Sequence, residues 1–224
     1  CLKQRRYLRT VNPIQSNHMP HTTPAWFFFG DSLTQGVNDC LMPGGWVSRL
    51  AVLAHKTGLC PIPRATFYNL GARRHGTADI AARWRQELEN RLIPGMKPHL
   101  VFCVGVVDMA APGGGQPADP ALTASLLHPV LEEAAATAPT LVISPPPVAA
   151  AEANSRIAQL CKLQQRLCDQ RGIPFAQVHE LLLTNSVYMD DLSDGLHPGS
   201  QGCAQMAQTL LAQQCVSEFM RAAQ

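Results

Sequence analysis

Ala25-Trp26-Phe27-Phe28-Phe29-Gly30-Asp31-Ser32-Leu33 is the stretch that decides how this chain is read. A run of apolar residues this short, closed by a glycine, fits a strand buried on both faces. Ser32 then stands where that strand turns into a loop. Far downstream, before the last helix-like segment, Asp194-Gly195-Leu196-His197-Pro198 sets an acid and a base three residues apart on one late loop.

Outward from Ala25, short apolar runs alternate with helix-like stretches. Strands are expected at Ala25–Phe29, Thr66–Leu70, Leu100–Val104, Leu141–Ser144 and Ile173–Val178. Trp46, Leu50 and Leu53 recur at helical spacing before Gly58, and Ile80, Trp84 and Leu88 mark one face of the next helix. Further helices are expected up to about Ala138, along Ile157, Leu160, Cys161, Gln164 and Leu167, and from about Ser200. Gly172 suits a helix C-terminus. Strands alternating with helices imply an α/β fold with a parallel sheet and right-handed crossovers. In such sheets the loops at the carboxyl ends of strands carry the site. Ser32, Gly71, Val107 and Pro145 all fall just after expected strands.

The 224 residues suffice for one sizeable domain, expected over 25–224, and 46% apolar against 15% charged residues argues against disorder. A net charge of +2 gives no footing for nucleic acid. No apolar run approaches the roughly 18 residues of a membrane span. Residues 1–24 hold Lys3, Arg5, Arg6 and Arg9, no acid and no apolar signal core. They are expected to be a disordered leader or an upstream extension, with Met19 as a natural start. Pro13, Pro20 and Pro24 weigh against an amphipathic targeting helix. The eight cysteines show no disulfide framework and no Cys-x-x-Cys pair, so a reducing, cytoplasmic setting is expected.

A serine hydroxyl is a poor nucleophile until a base takes its proton, and histidine is the side chain suited to that near neutrality. A carboxylate must then orient the ring. Ser32, His197 and Asp194 supply these three groups. If Ser32 opens a helical turn, the free N–H groups there favour a developing negative charge.

On these residues the chain resembles the SGNH, or GDSL-type, hydrolases over residues 25–222. Gly30-Asp31-Ser32-Leu33-Thr34-Gln35-Gly36 looks like the first block of that family, Asn69-Leu70-Gly71 like the second and Asp194-Gly195-Leu196-His197-Pro198 like the fifth. Gly45-Trp46-Val47-Ser48-Arg49-Leu50 and Asn69-Leu70-Gly71-Ala72-Arg73-Arg74 are similar to a bacterial branch of simple GDSL esterases. The resemblance implies a three-layer, flavodoxin-like sandwich with a five-stranded parallel sheet. It implies hydrolysis of carboxylic esters, thioesters or sugar O-acetyl groups, with a small-molecule ester as substrate and neither metal nor cofactor. It casts Ser32, Asp194 and His197 as catalytic, and the backbone N–H groups of Ser32 and Gly71 as oxyanion donors. The third block departs. Gly105-Val106-Val107-Asp108 has valine where the family has the oxyanion asparagine, and valine donates nothing. Loss of one such donor costs about 10²–10³ in rate. Gly36-Val37-Asn38-Asp39 matches the missing motif but follows the serine directly, so it reads as a decoy that keeps Asn38 as a possible substitute donor. The competing reading is a catalytically silent binding protein on the same fold.

The remaining features read more plainly. His75 and His99 stand alone. Arg73 and Arg74 fit either an acidic substrate or ion pairing at a helix start, and a solvated helix face accounts for most of the other basic residues near Arg83 and Arg85. Asp190 and Asp191 fit a solvated loop without a calcium pattern. Pro145-Pro146-Pro147 reads as a rigid stop and a candidate cleft wall, and Gly113-Gly114-Gly115 as a flexible lid that lacks the Gly-Lys-Ser/Thr of a phosphate loop. No long apolar lid for a fatty chain is apparent, which points to a short acyl group.

Overall fold

Trp26, Phe27, Phe28 and Phe29 are all buried, and alternate residues enter different cores. A strand apolar on both faces must lie inside a sheet covered on both sides. In the computed structural model, which describes residues 22–41, 44–60 and 65–221, this strand is β1 (Thr23–Gly30). It starts two residues inside the segment expected to be a leader; residues 1–21 lie outside the described residues.

After β1 come α1 (Ser32–Gln35), α2 (Gly45–Lys56), β2 (Thr66–Gly71), α3 (Thr77–Glu89) and β3 (Met96–Cys103). Next are α4 (Val106–Ala110), α5 (Pro120–Thr137), β4 (Thr140–Ile143), α6 (Ala151–Asp169) and β5 (Phe175–Ala176). α7 (His179–Leu183), α8 (Ser186–Met189), α9 (Ser200–Leu211) and α10 (Gln214–Arg221) complete the order. The five strands are all parallel, in the order β2-β1-β3-β4-β5. That is the flavodoxin-like order, and its direction of winding reverses between β1 and β3.

Trp26 and Phe28 face α2 and the helices from α7 onward, with Phe28 edge-on to Trp46 at 5.7 Å. Ala25, Phe27 and Phe29 face α3 and α5, where Trp84 meets Phe29 and Phe102 edge-on. A third cluster, of Leu33, Val106, Met109, Ile157 and Leu160 among others, lies under the carboxyl end of the sheet.

Three elements differ from the sequence expectation. β3 begins at Met96 instead of Leu100, because Met96–His99 pair with β1; Pro98 is tolerated there because β4 pairs only from Leu100 onward. β5 is two residues long, because Val178 and His179 turn their N–H groups onto Ser144 Oγ at 2.8 and 3.1 Å. The last helix breaks at Ala212-Gln213, and α10 turns Val216, Phe219 and Met220 into the core, Phe219 edge-on to His99.

At Gly30 a Cβ would lie 2.7 Å from the carbonyl oxygen of Cys103 and 2.1 Å from Thr34 Oγ1. Backbone on the neighbouring strand cannot yield as a side chain can. Gly30→Ala is expected to cost about 1–3 kcal/mol in urea denaturation, the usual range for overpacking. Gly115→Ala, where an added Cβ meets nothing within 4 Å, is the matched control and should change stability little.

Candidate active site

The junction after β1 is built from its own sequence. Asp31 caps α1, its carboxylate accepting the Leu33 N–H at 2.9 Å, and Ser32 becomes the first helical residue. A first-turn N–H has no intrahelical acceptor, so that of Ser32 is free to face the crevice. Asp31 is 2% exposed, and burial, only partly opposed by backbone hydrogen bonds and by His197, pushes its pKa up to about 6.

Ser32 Oγ lies 2.7 Å from His197 Nε2, a contact spanning 165 residues of chain. His197 Nδ1 lies 2.7 Å from Asp194 Oδ2. Asp194 Oδ1 accepts the N–H groups of Leu196 at 2.9 Å and His197 at 2.7 Å, and Oδ2 also accepts the Asn38 amide at 3.0 Å. Partial burial pushes the Asp194 pKa up, but the donors from His197, Leu196 and Asn38 outweigh it and hold the carboxyl well below the usual carboxylate range. The ionised carboxylate thus fixes the proton on Nδ1 and leaves Nε2 to accept from the serine.

The loop that carries this pair is pinned on both sides. Ala149 N–H donates to the Gly195 carbonyl at 2.9 Å. Asp191 accepts the Gly202 N–H at 2.6 Å and so fixes the start of α9. Asp191 is therefore a helix-capping residue and not a merely solvated one; Asp190 is exposed. Pro145, Pro146 and Pro147 are buried, with Tyr188 Oη donating to the Pro147 carbonyl at 3.4 Å, so they support the loop from beneath.

Gly71 ends β2 with its N–H already engaged. Its N–H donates to Asn69 Oδ1 at 3.0 Å, while Asn69 Nδ2 donates to the Thr34 carbonyl at 2.8 Å. A Cβ on Gly71 would sit 2.2 Å from the Gln35 nitrogen, so close packing of α1 on β2 accounts for this glycine. Val107 is the second residue of α4, half-buried at the end of β3, beside β1. The next residue, Asp108, accepts from both Thr77 N–H and Thr77 Oγ. Asn38 places its amide on Asp194.

Sequence reasoning missed the supports. Arg83 donates to the carbonyls of Gly30 and Leu70 at 3.1 and 2.8 Å and to His75 Nδ1 at 3.0 Å, tying together the ends of β1 and β2. Its place one turn from Ile80 and next to Trp84, on the stripe that faces the sheet, was the available signal. Arg73 and Arg74 are exposed, and neither forms an ion pair among the described residues. His99 is a core residue stacked on Trp26, and burial lowers its pKa. Gly113-Gly114-Gly115 is an exposed turn.

The sequence pattern of the GDSL-like lipase/acylhydrolase family matches residues 28–205, which hold the Ser32 block and the Asp194–His197 loop alike. The chain belongs to that family. It is a carboxylic ester hydrolase by that membership. No curated protein matches it in sequence. Among solved structures it is similar to a member of the lipolytic G-D-S-L family from Veillonella parvula, with a TM-score of 0.68 and 16% identity over 84% of this chain and 96% of that one. It is similar to LAE5, an alpha/beta hydrolase enzyme from the metagenome of Lake Arreo, with a TM-score of 0.68 and 18% identity over 89% and 97%. It is also similar to a catalytic mutant of an acetylxylan esterase from Geobacillus stearothermophilus, with a TM-score of 0.67 and 16% identity over 85% and 93%. No helix of the described residues is long and apolar enough to cross a membrane.

The raised pKa of Asp31 has a definite sign. The folded protein binds the Asp31 proton more tightly than the unfolded chain, so the associated stability is present below pH 3.8 and is lost as the pH rises through about 6. Asparagine caps a helix as well as aspartate does. Asp31→Asn should therefore gain on wild type by up to about 3 kcal/mol between pH 4 and pH 7. Urea denaturation at both pH values measures this, and equal differences at the two would refute it.

Proposed function

We propose that the protein hydrolyses short-chain acyl esters or O-acetyl groups through an acyl-enzyme on Ser32. The observation that carries this reading is the continuous chain from Ser32 Oγ through His197 to Asp194, with both heavy-atom contacts at 2.7 Å. As Oγ attacks the ester carbonyl carbon, its proton passes to Nε2, and Asp194 stabilises the imidazolium that forms. The tetrahedral adduct then expels the alcohol, which takes the proton from Nε2. Water enters, gives a proton to His197, attacks the acyl-enzyme and releases the carboxylic acid, and Ser32 recovers its proton.

The oxyanion is the weak point of the site. Ser32 N–H at the start of α1 is one donor. Gly71 N–H becomes a second only by leaving Asn69 Oδ1, and Val107 offers no side-chain donor. These two features favour a slow enzyme and are also what a silent binding protein on this fold would display. Likeness in fold to acetylxylan esterases supports the O-acetyl end of the substrate range. The seven described cysteines are all free thiols, which supports a reducing compartment such as the cytoplasm.

The deciding experiment is hydrolysis of p-nitrophenyl esters from acetate to octanoate. Ser32→Ala should reduce kcat at least about 10³-fold on every ester that wild type cleaves, the scale for removing a nucleophile. Equal turnover in the two would remove Ser32 from the role. Absence of turnover by wild type on all esters would favour the silent reading. Val107→Asn should raise kcat by about tenfold or more if the missing donor limits the rate, as expected from the 10²–10³ that such a donor is worth elsewhere. A fall in kcat would show that the valine side chain itself contacts substrate.

A further inference from the structure

We infer that Asn38 is a positioning residue for the acid of the triad, holding Asp194 Oδ2 against His197 through its side-chain amide. The inference rests on the reading of Ser32, His197 and Asp194 as the reacting groups. Asn38 Nδ2 and His197 Nδ1 converge on the same carboxylate oxygen, at 3.0 and 2.7 Å, while both N–H donors from the loop backbone go to Oδ1. Unlike a deeply buried triad acid, the Asp194 side chain is 45% exposed, against 13% for His197. Surrounding protein therefore does little to fix the outer side of this carboxylate, and a hydrogen bond from a fixed donor is what restricts it.

The donor is indeed fixed. Asn38 has φ 74, in the left-handed region where asparagine is among the few tolerated side chains. The next residue locks that turn. The Asp39 side chain is fully buried and accepts from Arg49 Nε and Nη2, from the N–H groups of Leu41 and Gly45, and from Ser200 Oγ at 2.7 Å. Ser200 stands three residues after His197. One short turn thus grips the Asp194–His197 segment at both ends, Asn38 at the acid and Asp39 at the start of α9. The charged groups around the imidazole are Asp194 on its own loop and Asp31 at the head of α1, with the paired Asp39 and Arg49 behind Ser200 and Asp191 capping α9.

The amide shares the negative charge of Oδ2 with the ring. Its removal leaves the carboxylate freer to swing away from the ring, which weakens its hold on the imidazolium. The test uses the full chain with Asn38→Gly, which deletes the amide while accepting φ 74 without strain, and with Asn38→Asp, which sets a second carboxylate against the first. The His197 ring is titrated by NMR, and kcat and KM are followed against pH. In Asn38→Gly the His197 midpoint should fall by about half a unit and kcat fall about three- to tenfold at unchanged KM, as for loss of an orienting hydrogen bond. In Asn38→Asp the added negative charge should instead raise the midpoint. A His197 midpoint unmoved or raised in Asn38→Gly overturns the inference, as does a change confined to KM or to the melting temperature. The NMR titration needs no substrate, so a wild type inactive on every ester would remove the hydrolytic reading and still leave the Asn38 contact decided by the midpoint.

Discussion

The dryness of β1 is the constraint from which the rest of the architecture follows. Four consecutive aromatic side chains, projecting alternately to the two faces, must all leave water. That is met only by a central strand with helices above and below, and parallel pairing with crossover helices provides it. Once β1 is central, its carboxyl end opens at the place where the strand order reverses, the crevice in which open α/β sheets bind ligands. Ser32 sits there because Gly30 lets α1 pack back against the strand end and Asp31 caps that turn.

Two carboxylates close to Ser32 are treated oppositely by the fold. Asp31 is sealed under α1, and desolvation raises its proton affinity. Asp194 lies near the surface, and converging hydrogen bonds keep it charged. The sealed acid shapes the backbone and the outer one is hydrogen-bonded to His197. The assignment follows from solvent exposure and donor count, since both are the same residue type. A carboxylate so near solvent depends on its hydrogen-bonding neighbours for the order that burial would otherwise impose.

Much of this was legible in the sequence, and the reason is local. Strand positions followed from apolar runs, and Ser32, Asp194 and His197 came with short signatures on single loops. Contacts made across the sheet were not legible. Only its place beside the Ile80–Trp84 stripe distinguishes Arg83 from the exposed Arg85, and nothing local shows that it holds two strand-end carbonyls. Asp39 looked like a fragment of a misplaced motif, and its role appears only when Arg49 and Ser200 are brought to it. Gly71 followed the right strand with the right residue type, but its N–H is taken by a side chain two positions back. Such contacts belong to side-chain hydrogen bonding, which sequence periodicity does not report. The short β5 and the early start of β3 were likewise set by which neighbour each strand found.

Ser32 and His197, 165 positions apart in the chain, are also separated in time. Chains emerge from the ribosome at roughly 5–20 residues per second, with N-terminal parts available first. The serine, its helical turn and the central strand are therefore made early, and the histidine comes only after β5 and α7–α8. On the proposed reading, a nascent chain that has not yet reached His197 therefore carries Ser32 without the group that would activate it.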